Sequence, residues 1–337
     1  MATMAEVARE AGVSVATVSR LLNKQGTVSP QTAERVYAAI QKLAYEPNLL
    51  ARNFRKSESR VILILAPNVT NPYYAHILSG IGDAAAKLGY SALIFTTSDD
   101  PAREREALEM LKKHRADGAI LMASDMGCHW LLEYASRYPI VQCSEYDPDV
   151  DIPHVSIDNY QATQEAVEYL FALGHRRIAI ISADNAYFST RQRVKAYRDT
   201  LLQHGIAPRE DYVAQASPDY SFKSGKAQAR ALLGIDPRPT AIFCISDTLA
   251  LGAITAAKEL GLRVPQDVTV VGFDDVEHTT MLHPYITTVA QPCYELGKQS
   301  AHLLYARMTQ GKEIPRQTIL KHAFIVRESS APPELLE

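Results

Sequence analysis

Residues 3–23 of this chain read TMAEVAREAGVSVATVSRLLN, and this stretch decides how the first part of the chain folds. Thr3 and Glu6 have the spacing of a capping box, in which the side chain of each residue hydrogen-bonds the backbone N–H of the other. Apolar residues then recur at helical spacing as far as Gly12, a residue type that commonly follows the last turn of a helix. The pattern predicts a short helix that begins at residue 4 and ends before Gly12.

A second short helix is predicted over residues 15–22, after a break of three residues. Ser14 is placed to cap it, and Val18 is one of the apolar residues that would face the first helix. The outward side would carry Val15, Ala16, Ser19 and Arg20. Two helices joined so tightly indicate a helix-turn-helix, whose second helix enters the DNA major groove. Arg20 could then donate two hydrogen bonds to guanine. The alternative is an ordinary helical hairpin with a solvated Arg20.

A third helix would complete a small headpiece over residues 1–46. Ser29 and Pro30 supply a cap and a first-turn proline, and Pro47 should end the headpiece. An apolar stripe lies between them at helical spacing: Val36, Ile40 and Leu43. This stripe would close the core of a three-helix unit.

The next residues, NLLARNFRKSES (48–59), are mostly polar and basic, but they include a bulky aromatic residue. One interpretation is a flexible linker. The other is a hinge helix that folds only on DNA, in which Phe54 or Leu50 wedges into the minor groove while Arg52 and Arg55 meet phosphate.

The charge is distributed unevenly along the chain. Residues 1–60 hold nine Lys/Arg and five Asp/Glu, a net charge of +4, whereas the whole chain carries −3 and the remainder therefore −7. This distribution indicates that any DNA contact is made by the basic residues 1–60 and not by the acidic remainder of the chain. The 337 residues suffice for about two large domains, and the hydrophobic content of 47% is typical of a globular protein.

Cysteine usage and hydropathy give an expectation about location. The four cysteines stand far apart without CxxC spacing, which suits a reducing compartment. We find no apolar signal segment at the start and no run of transmembrane length. We therefore expect a cytoplasmic protein, associated with the nucleoid through DNA and not with a membrane.

From residue 60 onwards, buried-strand runs alternate with helical stretches. The first set is VILILAP (61–67), a helix at 72–88, SALIFTT (91–97), a helix at 101–114, DGAILMAS (117–124), a helix around Trp130, PIVQCSE (139–145) and HVSI (154–157). The second set is a helix at 160–172, RRIAIISA (176–183), helices at 190–204 and 222–233, TAIFCIS (240–246), a helix at 247–260 and VTVVGF (268–273). A helix at 293–310 and a strand around 318–326 follow. This rhythm predicts two doubly wound α/β domains with parallel sheets.

Polar and aromatic side chains cluster where these predicted strands end. Ligands of doubly wound folds bind at that edge. Carboxylates and amides with interspersed tyrosines suit a polyhydroxylated ring, and Arg193 could pair with a ligand carbonyl or carboxylate. Each Asp taken alone could equally be a helix N-cap.

Catalytic and metal-binding patterns are weak. The opening strand is not followed by GxGxxG, and neither GxxxxGK[ST] nor GxSxG occurs. The acidic cluster at 274–283, with His278 and His283, fits no standard zinc helix. We therefore expect neither an enzyme nor a cofactor, although an α/β enzyme using this cluster is one rival interpretation. A transport solute-binding protein is the other.

Eight motifs, in this order, resemble the LacI/GalR family of bacterial transcription repressors. They are EVAREAGVSVATVSRLLN, NPYY, RADGAILM, VSIDN, LGHRRIAII, RPTAIFCISDTLALGA, LRVPQDVTVVGFDD and YITTVAQP, and they lie within residues 3–292. The resemblance implies a headpiece at 1–46, a hinge at 47–59 and a periplasmic-binding-protein-like body at 60–337. It also implies three crossings between two subdomains, near 158–160, 288–291 and 321–324. One subdomain would then comprise 60–158 and 291–321, and the other 160–288 and 324–337.

The family motifs carry over to named residues of this chain. With the residues singled out above, the expected DNA contacts are Thr3, Ser14, Val15, Ala16, Thr17, Ser19, Arg20, Asn23, Leu50, Arg52, Phe54 and Arg55. Phe54 stands where the family usually has Leu. The expected effector contacts are Tyr73, Tyr74, Ser124, Asp158, Tyr187, Arg193, Tyr220, Asp247 and Asp274.

The resemblance also suggests the ligand and the assembly. SEYDPDVDIPHVSIDN (144–159) looks most like the nucleoside-responsive (cytidine) repressor branch. We therefore expect a nucleoside or ribosyl effector first and a sugar second. A further alternative is a catabolite-control regulator that responds to a phosphoprotein partner. The chain ends in APPELLE without the leucine-heptad helix of tetrameric members, so a homodimer on palindromic operator DNA is expected.

Overall fold

The structure is a computed structural model that describes residues 2–22, 27–45, 58–98, 100–123, 129–310 and 314–334. It divides into two compact units, Met1–Ser59 and Arg60–Glu337, which are considered separately.

The first unit contains three helices, α1 (Met4–Ala11), α2 (Val15–Leu22) and α3 (Pro30–Lys42). Their shared core consists of Val7, Ala8, Ala11, Val18, Val36, Ala39 and Tyr45. The two predicted helices of the opening stretch are confirmed. The helix α3 ends at Lys42, and the chain turns at Ala44, which takes a left-handed conformation (φ 44°). Pro47, predicted to end the headpiece, lies outside the described residues.

The ends of these helices follow the predicted capping chemistry. The Thr3–Glu6 capping box is complete, with Glu6 Oε2 accepting from the Thr3 backbone N–H at 2.7 Å. Gly12 ends α1 at φ 65°, which a glycine adopts without a steric penalty. Ser14 Oγ accepts from the Thr17 backbone N–H at 3.1 Å and so caps α2. These local bonds fix the tight turn between α1 and α2.

The second unit begins with a six-stranded sheet whose paired strands are all parallel. Its strands are β1 (Val61–Ala66), β2 (Ser91–Thr96), β3 (Gly118–Leu121), β4 (Ile140–Cys143), β5 (His154–Ile157) and β11 (Gln317–Leu320). The helices packed with it are α4 (Pro72–Lys87), α5 (Pro101–Lys112), α6 (His129–Arg137) and α11 (Cys293–Gln310). We call this half the N-subdomain.

A second six-stranded sheet forms the C-subdomain. Its strands are β6 (Ile178–Ala183), β7 (Val213–Ala216), β8 (Ala241–Cys244), β9 (Thr269–Asp274), β10 (Thr287–Ala290) and β12 (Ala323–Ile325). Its helices are α7 (Asn159–Ala172), α8 (Phe188–Gln203), α9 (Phe222–Leu233) and α10 (Asp247–Glu259), with short 3-10 helices at Glu210–Tyr212 and Glu277–Thr280.

Both sheets have the strand order of a doubly wound fold. The orders are β2-β1-β3-β4-β5-β11 and β7-β6-β8-β9-β10-β12. The chain changes sheet three times, between β5 and α7, between β10 and α11, and between β11 and β12. The predicted fold class, a helical headpiece plus two α/β subdomains, is therefore confirmed.

Three details of the strand prediction were wrong or incomplete. The single strand expected at 318–326 is two strands, β11 and β12, which belong to different sheets. The strand β12 runs antiparallel to β10, so the second sheet is mixed. The short strand β7 was not predicted, because its four residues, VAQA, lack the long apolar run of a central strand.

Hydropathy gives one further result. Among the described residues, none of the helices combines the length and the apolar character needed to cross a bilayer.

Candidate functional site

The exposed side of α2 in the first unit carries the residues predicted to read DNA. Val15, Ala16 and Arg20 are exposed, with Val15 at 46% of its accessible surface. Thr17 and Ser19 are half-buried, and the Thr17 hydroxyl lies 2.9 Å from Ser14 Oγ. The arrangement leaves two small apolar side chains and one guanidinium open for contact with a groove.

The remaining predicted DNA contacts fall into two groups. Thr3 is exposed, and its hydroxyl donates to Glu6 Oε2 at 2.9 Å. The others lie outside the described residues: Asn23, Leu50, Arg52, Phe54 and Arg55. The predicted effector contact Ser124 also lies outside them.

In the second unit, an open cleft of about 620 Å³ separates the two subdomains. The loop between β1 and α4 lines it from the N-subdomain, and the starts of α9 and α10 line it from the C-subdomain. Its polar and aromatic lining includes Asn68, Thr70, Asn71, Tyr220, Phe222, Thr248 and His278. A volume of this size accommodates a small organic ligand.

Beside this cleft, a buried hydrogen-bonded chain joins the two subdomains. The Tyr73 hydroxyl, from the first turn of α4, lies 2.6 Å from Ser144 Oγ and donates to Gln291 Oε1 at 3.2 Å. Gln291 Nε2 donates in turn to Asp274 Oδ1 at 2.8 Å. The side chains predicted at the ends of β1 and β9 are thus connected through Gln291, which follows β10.

Arg193 is the buried cation of this region. Its Nε and Nη2 donate to Asn159 Oδ1 at 3.0 and 2.8 Å, and its Nη1 donates to the Ile245 carbonyl at 2.6 Å. The guanidinium lies over the Phe273 ring at 3.7 Å from its centroid. Arg193 is therefore held by residues that lie at or just beyond the carboxyl ends of β5, β8 and β9. Side chains fixed in this way are preorganised for ligand contact.

Asp274 occupies a strained position next to this arginine. The residue has φ 117°, outside the regions that L-residues normally adopt, and is 6% exposed. Burial raises the pKa of its carboxyl to about 7, while the charge of Arg193 acts in the opposite direction. Backbone strain of this kind is concentrated at functional sites.

Two other predicted acids have structural partners. The Asp247 carboxylate is fully buried and accepts from the Val276 backbone N–H at 2.9 Å and from Thr288 Oγ1 at 2.6 Å. Asp158 is exposed and caps α7 by accepting from the Gln161 N–H at 2.8 Å. Asp158 therefore makes the N-cap bond that the alternative interpretation of strand-end acids anticipates. Asp247 does not cap a helix, because Ser246 is the N-cap residue of α10.

The predicted tyrosines divide between the cleft and the buried region. Tyr74 packs edge-on against Tyr73, at 5.3 Å between ring centroids, and Tyr187 is the buried N-cap residue of α8. Tyr220 lines the cleft, and its hydroxyl accepts from Asn185 Nδ2 at 2.9 Å. It is the one member of the predicted effector set, within the described residues, that lines the open cleft.

Glu145 was not among the predicted site residues. It follows β4, is 6% exposed, and its Oε2 accepts from the Ser189 backbone N–H at 3.1 Å across the subdomain boundary. Its Oε1 also accepts from the Ser189 hydroxyl. Burial raises the pKa of this carboxyl, and the bonds from Ser189 and the charge of Arg193 oppose the rise. Its position at a strand end was the available signal, because Glu145 closes the run PIVQCSE.

The acidic cluster at 274–283 does not converge on one point. His278 lines the cleft, whereas His283 lies 2.6 Å from Glu328 and stacks on Tyr285. Among the described residues, we find no group of three or more His, Cys, Asp or Glu arranged to hold a metal ion.

Comparison with known proteins matches both units. Residues 3–48 match the family model "Bacterial regulatory proteins, lacI family", and residues 59–328 match "Periplasmic binding proteins and sugar binding domain of LacI family". The HTH-type transcriptional repressor CytR of Escherichia coli (strain K12) is 36% identical over 93% of this chain and 91% of its own length. The ribose operon repressor of Haemophilus influenzae is 32% identical over 98% of both chains.

A solved structure agrees with this result. The lac repressor dimer bound to operator and the anti-inducer ONPF superposes with a TM-score of 0.89 at 28% identity, covering 98% of this chain and 99% of that one. The matched headpiece excludes a transport protein that consists of the body alone. The chain therefore belongs to the LacI family of bacterial regulatory proteins, which are transcription repressors rather than enzymes and act as dimers on operator DNA under the control of a small effector.

Proposed function

We propose that the effector of this repressor is a nucleoside or another ribosyl compound, bound in the cleft between the two subdomains. The observation that carries the proposal is the meeting of Tyr73, Arg193, Asp274 and Gln291 in one buried cluster beside that cleft. Fixed donors and acceptors that alternate in this way match the hydroxyls of a furanose ring. The likeness to a ribose operon repressor supports this ligand class.

The aromatic lining of the cleft favours a base as the second part of the ligand. Tyr220 and Phe222 line the cleft from the C-subdomain, and Phe222 is 43% exposed. A flat base packed against such rings is stabilised by stacking, while the sugar meets the polar cluster.

A thermal-shift screen of nucleosides, ribose and hexoses, with and without operator DNA, tests this proposal. A ligand at about 100 times its Kd adds roughly 2.7 kcal/mol of stability, which gives a clear rise in Tm. We expect a nucleoside to produce the largest rise. Phe222→Ala should weaken nucleoside binding and spare ribose. Stabilisation by a hexose and by none of the ribosyl compounds would exclude the proposed ligand class.

We further propose that the chain is organised as a headpiece (1–46), a hinge (47–59) and a body (60–337), and that the repressor acts at the nucleoid in the cytoplasm. Val15, Ala16 and Arg20 would read bases, and the hinge would fold on the operator with Phe54 as its wedge. The support is the open side of α2 and the basic character of the hinge.

Phe54→Ala tests the wedge. The variant should bind operator more weakly and bend it less, because apolar wedges kink the duplex by about 20–90°. Headpiece folding, followed by circular dichroism, should be unchanged. A variant that bends operator as strongly as the wild type in a gel-phasing assay would remove the wedge from the proposal.

A further inference from the structure

Glu145 links the two subdomains by hydrogen bonds and affects the proposed ligand site. It belongs to the N-subdomain, yet both of its carboxylate oxygens accept hydrogen bonds from Ser189 at the start of α8 in the C-subdomain. Ser189 is the second residue of this helix of 16 residues. The N-cap residue Tyr187 makes no side-chain capping bond, so Glu145 supplies that bond from across the boundary.

The start of such a helix is the place where an anion binds most readily. Its first backbone N–H groups have no partner within the helix, and the helix dipole adds a positive potential. Glu145 already fills this place with a carboxylate. A phosphate or carboxylate of a ligand would have to displace it.

The other charged groups of the buried region also disfavour an anionic ligand group. The charge of Glu145 raises the pKa of the Asp274 carboxyl, and the guanidinium of Arg193 lowers the pKa of both acids. Three of the five N–H bonds of Arg193 are committed to Asn159 and Ile245. Within the described residues, the region is therefore more acidic than basic, and it offers acceptors to hydroxyl and amine donors.

We propose that Glu145 is a specificity-determining residue, which makes the cleft accept an uncharged effector rich in hydrogen-bond donors and reject its phosphorylated form. The inference rests on the proposed effector cleft and names the class of ligand that it takes. A nucleoside or free sugar would bind, whereas the corresponding nucleotide or sugar phosphate would meet two buried carboxylates and an occupied helix start.

Inorganic phosphate tests the role of Glu145 without knowledge of the effector. The full-length wild type, Glu145→Ala and Glu133→Gln are unfolded thermally in a phosphate titration at constant ionic strength. Glu133 is an exposed carboxylate on α6 and serves as the control. Phosphate should raise the Tm of Glu145→Ala more than that of the other two proteins, because only that variant frees the start of α8, whereas the general stabilisation by phosphate is common to all three. Equal stabilisation of the wild type, or no gain in a folded Glu145→Ala, would overturn the proposal.

A second measurement compares matched ligands and also serves if Glu145→Ala does not fold. Calorimetry at pH 8, above the pKa of about 7 of Asp274, with cytidine and cytidine 5′-monophosphate, and with ribose and ribose 5-phosphate, should show the phosphorylated member at least about tenfold weaker on the wild type, since like charges at a contact repel strongly. Glu145→Gln should reduce this ratio, and Glu133→Gln should keep it. Equal or tighter binding of the phosphorylated member contradicts the inference. If no ribosyl compound binds, the proposed effector class is wrong, and the phosphate titration still decides the role of Glu145.

Discussion

Arg20 lies on the exposed side of α2 with two small apolar neighbours, so a guanine edge could reach its guanidinium without moving other side chains. We predict that Arg20→Ala weakens operator binding by about 1–3 kcal/mol and relaxes the preference at one base pair per half-site. Binding to operator, to singly substituted operators and to random DNA measures this. Arg35→Ala, an exposed arginine of α3, is the matched control for loss of charge. Equal losses on operator and random DNA would show that Arg20 contacts phosphate only.

Asp274 should make stability depend on pH. Burial raises its pKa to about 7 in the folded chain from an ordinary value of 3.8. The folded state then binds this proton more tightly than the unfolded state, so stability falls as the pH rises between the two values. The loss is about 1.4 kcal/mol for each unit by which the pKa is displaced.

Asp274→Asn removes this titration and keeps an oxygen that can accept from Gln291. We therefore expect the variant to gain stability relative to the wild type as the pH rises through that window, measured by urea unfolding. Asp247 is also buried with a raised pKa, and the charge of Asp274 contributes to that rise, so the substitution lowers the pKa of Asp247 and acts in the same direction. Parallel pH profiles for the two proteins would contradict the assignment.

At the scale of elements, α4 and α11 approach each other so closely that only glycine fits where they touch. A Cβ at Gly80 would overlap the backbone carbonyl of Tyr294, and one at Gly297 would overlap that of Ile77. Gly82, two residues further along α4, has no atom within 4 Å of such a Cβ. An alanine at Gly80 or at Gly82 would therefore have the same intrinsic helix propensity, but its packing would differ.

We predict that Gly80→Ala destabilises the body by about 1–3 kcal/mol through overpacking, measured by equilibrium urea unfolding. Gly82→Ala should be neutral or stabilising by up to roughly 1 kcal/mol, because alanine favours the helix. A Gly80→Ala protein as stable as the Gly82→Ala protein would mean that the helices separate without cost.

The elements themselves were largely predictable. The helices at 222–233 and 293–310 have the predicted bounds, because caps and apolar periodicity act within a few residues. The strands β11 and β12 were merged in the prediction. Two residues separate them, and the choice of sheet depends on strands that are distant in the sequence, β5 for β11 and β10 for β12.

At the scale of the molecule, the ligand must bias the arrangement of the subdomains to change operator affinity. We predict that Arg193→Ala abolishes the effector response and leaves operator binding of the unliganded protein intact. The coupling it removes is typically about 1–3 kcal/mol, a 5–150-fold change in operator affinity. Operator titrations with and without effector measure it. Arg191→Ala, an exposed arginine on the same helix, should keep the response. Tight effector binding to Arg193→Ala by calorimetry would exclude this role.

The candidate site was only partly readable from the sequence. Tyr73, Arg193 and Asp274 could be named because they end strands or begin helices in recognisable motifs, and the fold brings them together. Asp158 and Asp247 occupy equally good positions in the sequence, yet their carboxylates cap a helix and brace β9 and β10. Which strand-end acid is structural depends on neighbours that only the packed sheets supply.

By itself, the sequence determined the headpiece helices, the two alternating sets of strands and helices, and the family, since capping, periodicity and ordered motifs are local properties of the chain. Tertiary structure alone decided that Glu145 accepts hydrogen bonds from Ser189, that Gln291 links Tyr73 to Asp274, and that β11 and β12 belong to different sheets. These contacts join residues far apart in the chain, and their free energy exists only when both subdomains are folded and packed against each other.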